Sequence, residues 1–149
     1  MRLESCGILN QRTMLRFIVD TAQSAAFNMA ADLFLLEQCF NSSTVYVRFY
    51  LWATPTITLG YMQKPDDVLD LRRMGEDQIC WIKRPTGGRA VLHDSDLTYS
   101  CIFPNNLAAM GSTVKQSYQI ITECLLNGLL SLGIPCQAHD SYEDFLNLK

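Results

Sequence analysis

The sequence predicts an α+β domain with a central mixed, mainly antiparallel sheet and helices packed outside it. Three observations carry that prediction. Short runs rich in Val, Ile, Thr, Tyr and Phe recur along the chain, as pleated strands require. The helical stretches punctuate clusters of strands without strict alternation, which disfavours a doubly wound parallel sheet. Gly, Pro, Asn and Ser mark the joints. The 149 residues suit one domain, and 48% hydrophobic residues supply enough apolar surface for a core.

The elements follow in order. "MLRFIVD" (14–20) reads as a strand. Ser24 then caps a helix, "SAAFNMAADLFLLEQCF", whose Phe27, Ala30, Ala31, Phe34 and Leu35 keep a helical period. "NSS" (41–43) ends it. "TVYVRFYLW" (44–52) is a strand broken by Pro55, and "TITLGYMQ" (56–63) is the next. "PDDVLDLRRMG" (65–75) is a short helix, with Pro first, acids in the first turn, arginines late and Gly at the end. "QICWIKR" (78–84), "AVLH" (90–93) and "LTYSCIF" (97–103) are further strands, followed by the loop "PNNLAAMG". Ser112 or Thr113 caps a last helix with Val114, Tyr118, Ile121, Leu125 and Leu129 on its apolar face, and Gly133 ends it. "IPCQAH" (134–139) opens one more strand, giving the order β-α-β-β-α-β-β-β-α-β.

Composition excludes several classes. With 12 basic and 15 acidic residues the net charge is −3, without the basic excess of a nucleic-acid binder. No apolar run reaches the length of a membrane-spanning helix, and "MRLESCGILNQRTM" lacks the apolar region of a signal peptide. Cys6, Cys39, Cys80, Cys101, Cys124 and Cys136 form no CxxC pair, so no metal site is expected. Free, mostly buried thiols in a reducing cytoplasm are the plain expectation.

The chemistry concentrates in "RPTGGRAVLHD" (84–94). Gly87 and Gly88 permit left-handed backbone and close ligand approach, and successive N–H groups there can form an anion-binding nest. Arg84 and Arg89 could offer bidentate donors to a phosphate or carboxylate. A hairpin turn would use the same two glycines. No GK[ST] follows and no GxGxxG opens a helix, so neither a Walker A loop nor a Rossmann fingerprint is present. His93 either lines a site or is a strand-end histidine satisfied by its neighbours, with Asp94 starting an Asx-turn. His139 and Asp140 read as surface loop.

"RPTGGRAVLHDSDLTYS" (84–100) closely resembles the signature of the lipoate/octanoate-protein ligase and transferase family. "NMAAD" (28–32) is similar to that family's first-helix motif, and "VRFYLWATPTITLGYMQ" (47–63) to the strand pair leading to its acyl pocket. The resemblance runs from about residue 18 to 133 and leans toward the bacterial octanoyltransferases. It implies the mixed α+β fold shared with biotin protein ligases and class II synthetases. It also implies an acyltransferase or ligase acting in protein lipoylation, moving octanoate or lipoate onto a lysine of a lipoyl carrier protein. Carriers of this kind are the glycine cleavage H protein and dehydrogenase E2 domains. The donor would be octanoyl-acyl carrier protein through a cysteine thioester, or free lipoate activated with ATP and magnesium. The ligase branch usually carries a third small residue where Arg89 stands, which favours the first route. By motif, Arg84, Thr86, Gly87, Gly88, Arg89 and Ala90 would surround the donor's polar end, with His93, Gly60, Tyr61 and Gln63 nearby.

The chain departs from the family in one respect. The family's nucleophilic cysteine and its lysine motif, of the type K-x-x-G-S-A-Q, have no match in "CQAHDSYEDFLNLK". No catalytic residue is therefore assigned; Cys136 and the other cysteines are candidates against the commoner inert thiol. Residues 1–149 are expected to be the N-terminal portion of a transferase domain, incomplete as a fold and in need of a second chain or a dimer partner. The alternatives are an ATP-dependent ligase, a non-catalytic acyl-binding remnant, and a biotin-protein-ligase-like domain.

Overall fold

A computed structural model describes residues 13–42 and 44–138. Contacts divide the chain into two compact units, one ending at Pro104 and the other beginning at Asn105.

In the first unit, β1 (Met14–Gln23), β2 (Thr44–Trp52) and β6 (Thr98–Ile102) form one sheet in the order β1-β2-β6. β1 runs parallel to β2, and β6 antiparallel. A second sheet has the order β4-β3-β5, from β4 (Cys80–Lys83), β3 (Thr56–Leu59) and β5 (Val91–His93). There β4 is parallel to β3 and β5 antiparallel. The mixed pairing expected of the fold is thus present, as two small sheets. Antiparallel ladders do not predominate among the described strands, because each sheet holds one pairing of each kind.

α1 (Ala25–Phe40) starts where expected: the Ser24 hydroxyl accepts the Phe27 N–H at 3.2 Å. Its buried stripe differs from the expected one. Asn28, Met29, Asp32, Leu35 and Cys39 face inward, whereas Phe27 and Phe34 are exposed. The reason lies in β2, whose Tyr46, Arg48, Tyr50 and Trp52 alternate toward α1 and are all buried. Arg48 demands polar partners, so the helix turns its Asn-Asp pair, one turn apart, to meet it. Apolar clusters lie on either side: Met29 with Tyr50 and Trp52, and Leu35 with Cys39 and Tyr46.

Other boundaries shift for local reasons. The strand expected over 56–63 stops at Leu59, because residues 60–63 turn back on themselves. The helix expected over 65–75 splits into α2 (Pro65–Val68) and α3 (Leu71–Glu76). Leu69 is extended between them, and Asp70 caps α3 by accepting the Arg73 N–H.

In the second unit, a 3-10 turn (Ala108–Met110) precedes α4 (Val114–Ser131), capped by the Thr113 hydroxyl. Gly133, at φ +77°, closes it in a Schellman arrangement, with Ile134 N–H donating to the Leu129 carbonyl. Residues 134–138 form no strand, contrary to expectation. His139 and Asp140 lie outside the described residues. No helix among the described residues is long and apolar enough to cross a membrane.

Candidate functional site

Three layers of residues build the site, starting in the core. Arg48, 1% exposed, donates from Nε to Asp20 at 2.6 Å and from Nη1 to Asp32 at 3.0 Å and to the Asn28 carbonyl. Nη2 donates to the Asn28 side chain at 2.8 Å. Asp32 also accepts from the Ser100 and Tyr50 hydroxyls, and Asn28 donates to the Leu51 carbonyl. The guanidinium lies 4.1 Å over the Tyr50 ring. Burial first, then the Asp32 carboxylate, pushes the Tyr50 hydroxyl far above its ordinary pKa, so it remains a neutral donor. The "NMAAD" segment therefore acts here as a buried clamp between α1 and the first sheet.

The second layer joins the two sheets. His93 is buried and stacked on Trp52, with ring centroids 4.3 Å apart. Its Nδ1 lies 3.0 Å from Asp96 Oδ2 and its Nε2 3.0 Å from Thr58 Oγ1. Trp52 Nε1 donates to Thr98 Oγ1 at 2.8 Å, and Thr98 donates to Asp96 at 2.9 Å. The network assigns the tautomer: Asp96 accepts from Nδ1–H, so Nε2 accepts from Thr58. Burial of the carboxyl, whose Oδ1 has no partner among the described residues, pushes the Asp96 pKa up; the hydrogen bonds from His93 and Thr98 outweigh this and hold it below its ordinary value. Asp96, His93 and Thr58 stand in the order of a hydrolase triad, but Thr58 is 2% exposed, which denies a substrate carbonyl access to its hydroxyl. The expectation that His93 hydrogen-bonds a substrate gives way to a structural placement, since both ring nitrogens already face protein groups.

The third layer is the glycine loop between β4 and β5. Arg84 does not extend into solvent as a ligand fork. Its Nη1 donates to the Thr58 carbonyl and hydroxyl, both at 3.1 Å. Its Nη2 donates to the carbonyls of Gly87 at 2.8 Å and Arg89 at 2.7 Å. Those four bonds use all four terminal N–H groups, which corrects the expectation of a free bidentate donor at Arg84. Gly88 adopts φ +97°, and a Cβ there would meet Arg84 Nη2 at 2.8 Å. Beneath the loop sits Gly60, where a Cβ would lie 2.1 Å from the Gly88 carbonyl oxygen. Tyr61 N–H donates to the Thr86 carbonyl, Arg84 N–H to the Leu59 carbonyl, and Gly60 N–H to the Gln63 side chain, each at 2.9 Å.

The residues named from the sequence thus fall into one cluster with different places in it. Thr86, Gly87, Gly88, Arg89 and Tyr61 are at the surface, with Ala90 half-buried at the foot of β5. Gly60, Gln63 and Arg84 shape the loop from below. Two loop carbonyls point inward to Arg84, while the N–H groups of Gly87, Gly88 and Arg89 meet no acceptor among the described residues. Successive backbone N–H groups without an internal acceptor can hold an anion or a developing oxyanion. Sequence reasoning missed Thr58, Asp96, Thr98 and Trp52, and the Asn28–Asp32–Arg48 clamp. The spacings His93-x-x-Asp96 and Asn28-x-x-x-Asp32 were the available signals. Among the cysteines, Cys39 is buried and its thiol pKa raised by that burial, and the half-buried Cys136 lies 3.9 Å from the Leu126 carbonyl. The burial of Cys39 disfavours its thiolate.

Comparison with known proteins bears on this cluster. The profile of the lipoyl protein ligase A/B catalytic domain matches residues 24–146. The chain belongs to that family. Within the lipoyl protein ligase A/B family, octanoyltransferase LipM of Anoxybacillus flavithermus is 39% identical over 125 residues, covering 83% of this chain and 45% of its own length. Octanoyltransferase LipM of Carboxydothermus hydrogenoformans is 42% identical over 120 residues, covering 80% and 45%. The chain therefore spans less than half the length of these relatives. The fold is shared with a bipartite lipoate protein ligase of Thermoplasma acidophilum, solved with its E2 lipoyl domain, at TM-score 0.73 and 22% identity, over 86% of this chain and 49% of that one. It is also shared with a lipoate-protein ligase A bound with ATP, at TM-score 0.67 and 23% identity, over 87% and 52%.

Proposed function

We propose that the protein carrying this chain transfers an octanoyl group from acyl carrier protein to a lysine of a lipoyl carrier protein. Residues 84–90, with the turn at 60–63 beneath them, hold the polar end of the acyl donor. The observation that carries this reading is the backbone of the loop, two of its carbonyls bound by Arg84 and the N–H groups of Gly87, Gly88 and Arg89 without an acceptor among the described residues. In the net reaction an acyl C–S bond is replaced by an amide C–N bond, and the departing thiol takes up the proton the amine loses. Negative charge builds on the carbonyl oxygen at each tetrahedral stage, and fixed N–H donors with Arg89 beside them stabilise it. The nucleophilic thiol and the polarising lysine are not assigned to residues of this chain.

The thioester route is favoured over an ATP-dependent one by Arg89, and by relatives about 40% identical that are named octanoyltransferases. An acyl-adenylate phosphate would meet the same N–H donors, so the second route is kept as the alternative. Intact-mass spectrometry of an apo lipoyl carrier domain separates the two. Incubation with the protein and octanoyl-acyl carrier protein is expected to add one octanoyl group. A lipoyl gain only with lipoate, ATP and magnesium would establish the ligase reaction instead, and no gain in either tube would leave a binding remnant.

A further inference from the structure

We propose that Arg84 is a positioning residue for the donor loop, held in that role by Thr58 and, through it, by His93 and Asp96. The proposal rests on the reading of the loop as an acyl-donor cradle. Arg84 brackets two elements: one nitrogen grips β3 at Thr58, and the other grips the loop at Gly87 and Arg89. An exposed Gly-Gly segment without such a bracket samples many backbone states, including those that turn carbonyls toward an anion. The bracket selects the state in which they turn away.

The direction of the hydrogen bonds makes Thr58 decisive. Arg84 can only donate, so Thr58 Oγ1 must accept from it and release its own hydrogen elsewhere. That hydrogen goes to His93 Nε2, which accepts because Asp96 takes the proton on Nδ1. Thr98, pinned by Trp52, donates to the same Asp96 oxygen. Two chains of donors thus converge on one carboxylate, and the hydroxyl orientation at Thr58 is fixed from a point remote from the loop.

The test uses the full chain with Thr58→Val, Thr58→Ser and Arg84→Lys. Exchange of the Tyr61 amide, bonded to the Thr86 carbonyl, reads loop closure without any ligand. Thr58→Val and Arg84→Lys are expected to speed it about tenfold, equivalent to roughly 1.4 kcal/mol of closure. Thr58→Ser keeps the hydroxyl and stays close to wild type, and the amides of α1 do not change in any variant. Calorimetric titration with octanoate supplies the second readout. Octanoate affinity falls about tenfold in the first two variants and is retained in Thr58→Ser. Unchanged Tyr61 exchange in Arg84→Lys overturns the proposal, and that variant decides if Thr58→Val does not fold. A looser loop with unaltered octanoate affinity also overturns it, reducing Arg84 to a staple of the fold. If the wild-type chain binds no octanoate, the cradle reading fails and takes the donor role of Arg84 with it, while the exchange data still report whether the bracket exists.

Discussion

At Gly60 a single methyl group decides whether the glycine loop can close. Its Cβ would stand 2.1 Å from the Gly88 carbonyl oxygen, a backbone atom that cannot rotate away. Gly60→Ala should cost about 1–3 kcal/mol of stability, as overpacking does. The loop should also be displaced, and octanoate affinity in a calorimetric titration should fall further than the change in melting temperature suggests. Arg48 sets the opposite kind of constraint. Asp32→Ala removes one of its two carboxylates and the acceptor of the Tyr50 and Ser100 hydroxyls. A urea titration should show a loss of about 3–5 kcal/mol, the cost of a buried charge left poorly compensated. Asp96 gives a pH signature. Its folded pKa is depressed, so its stabilising contribution is complete above the ordinary aspartate value near 4 and is lost as pH falls through the lower folded value. Urea midpoints should therefore drop steeply below about pH 4 in wild type, and less steeply in Asp96→Asn.

Among the elements, the strands and helices most legible in the sequence were those whose chemistry is local. β2 was read to the residue, because Thr, Val, Tyr and Phe crowd between "NSS" and Pro55. The cap at Ser24 and the stop at Gly133 were equally local. The buried face of α1 was not, because which residues it hides depends on Arg48, a partner on another element. The same holds for the glycine loop. Its position was plain from "RPTGGR", but the inward turn of Arg84 depends on Thr58, 26 residues earlier. His93 was open to two readings, lining a site or satisfied by its neighbours, while its partners Trp52, Thr58 and Asp96 were unseen. Trp52 is where the two sheets lean on each other, so Trp52→Phe tests that joint. It keeps a ring to stack on His93 but loses the hydrogen bond to Thr98 and part of the ring volume packed against Met29 and Tyr50. A cost of about 1–3 kcal/mol is expected by chemical denaturation, against about 3–5 kcal/mol for Trp52→Ala.

For the molecule as a whole, the family and the mixed α+β fold were both readable from motif order. "NMAAD", "TITLGYMQ" and "RPTGGRAVLHD" fall in the sequence the family uses. The roles of those motifs were less readable. Much of each one builds the shelf on which the glycine loop rests, and the exposed residues of the cluster are Thr86, Gly87, Gly88, Arg89 and Tyr61. The most direct measurement of that claim is a two-dimensional amide NMR titration of the chain with octanoate. Saturable shifts at the amides of Gly87, Gly88 and Arg89, with smaller ones at Gly60 and Tyr61, are the expected result. Shifts confined to other parts of the chain, or none that saturate, would contradict the loop as the seat of the acyl donor.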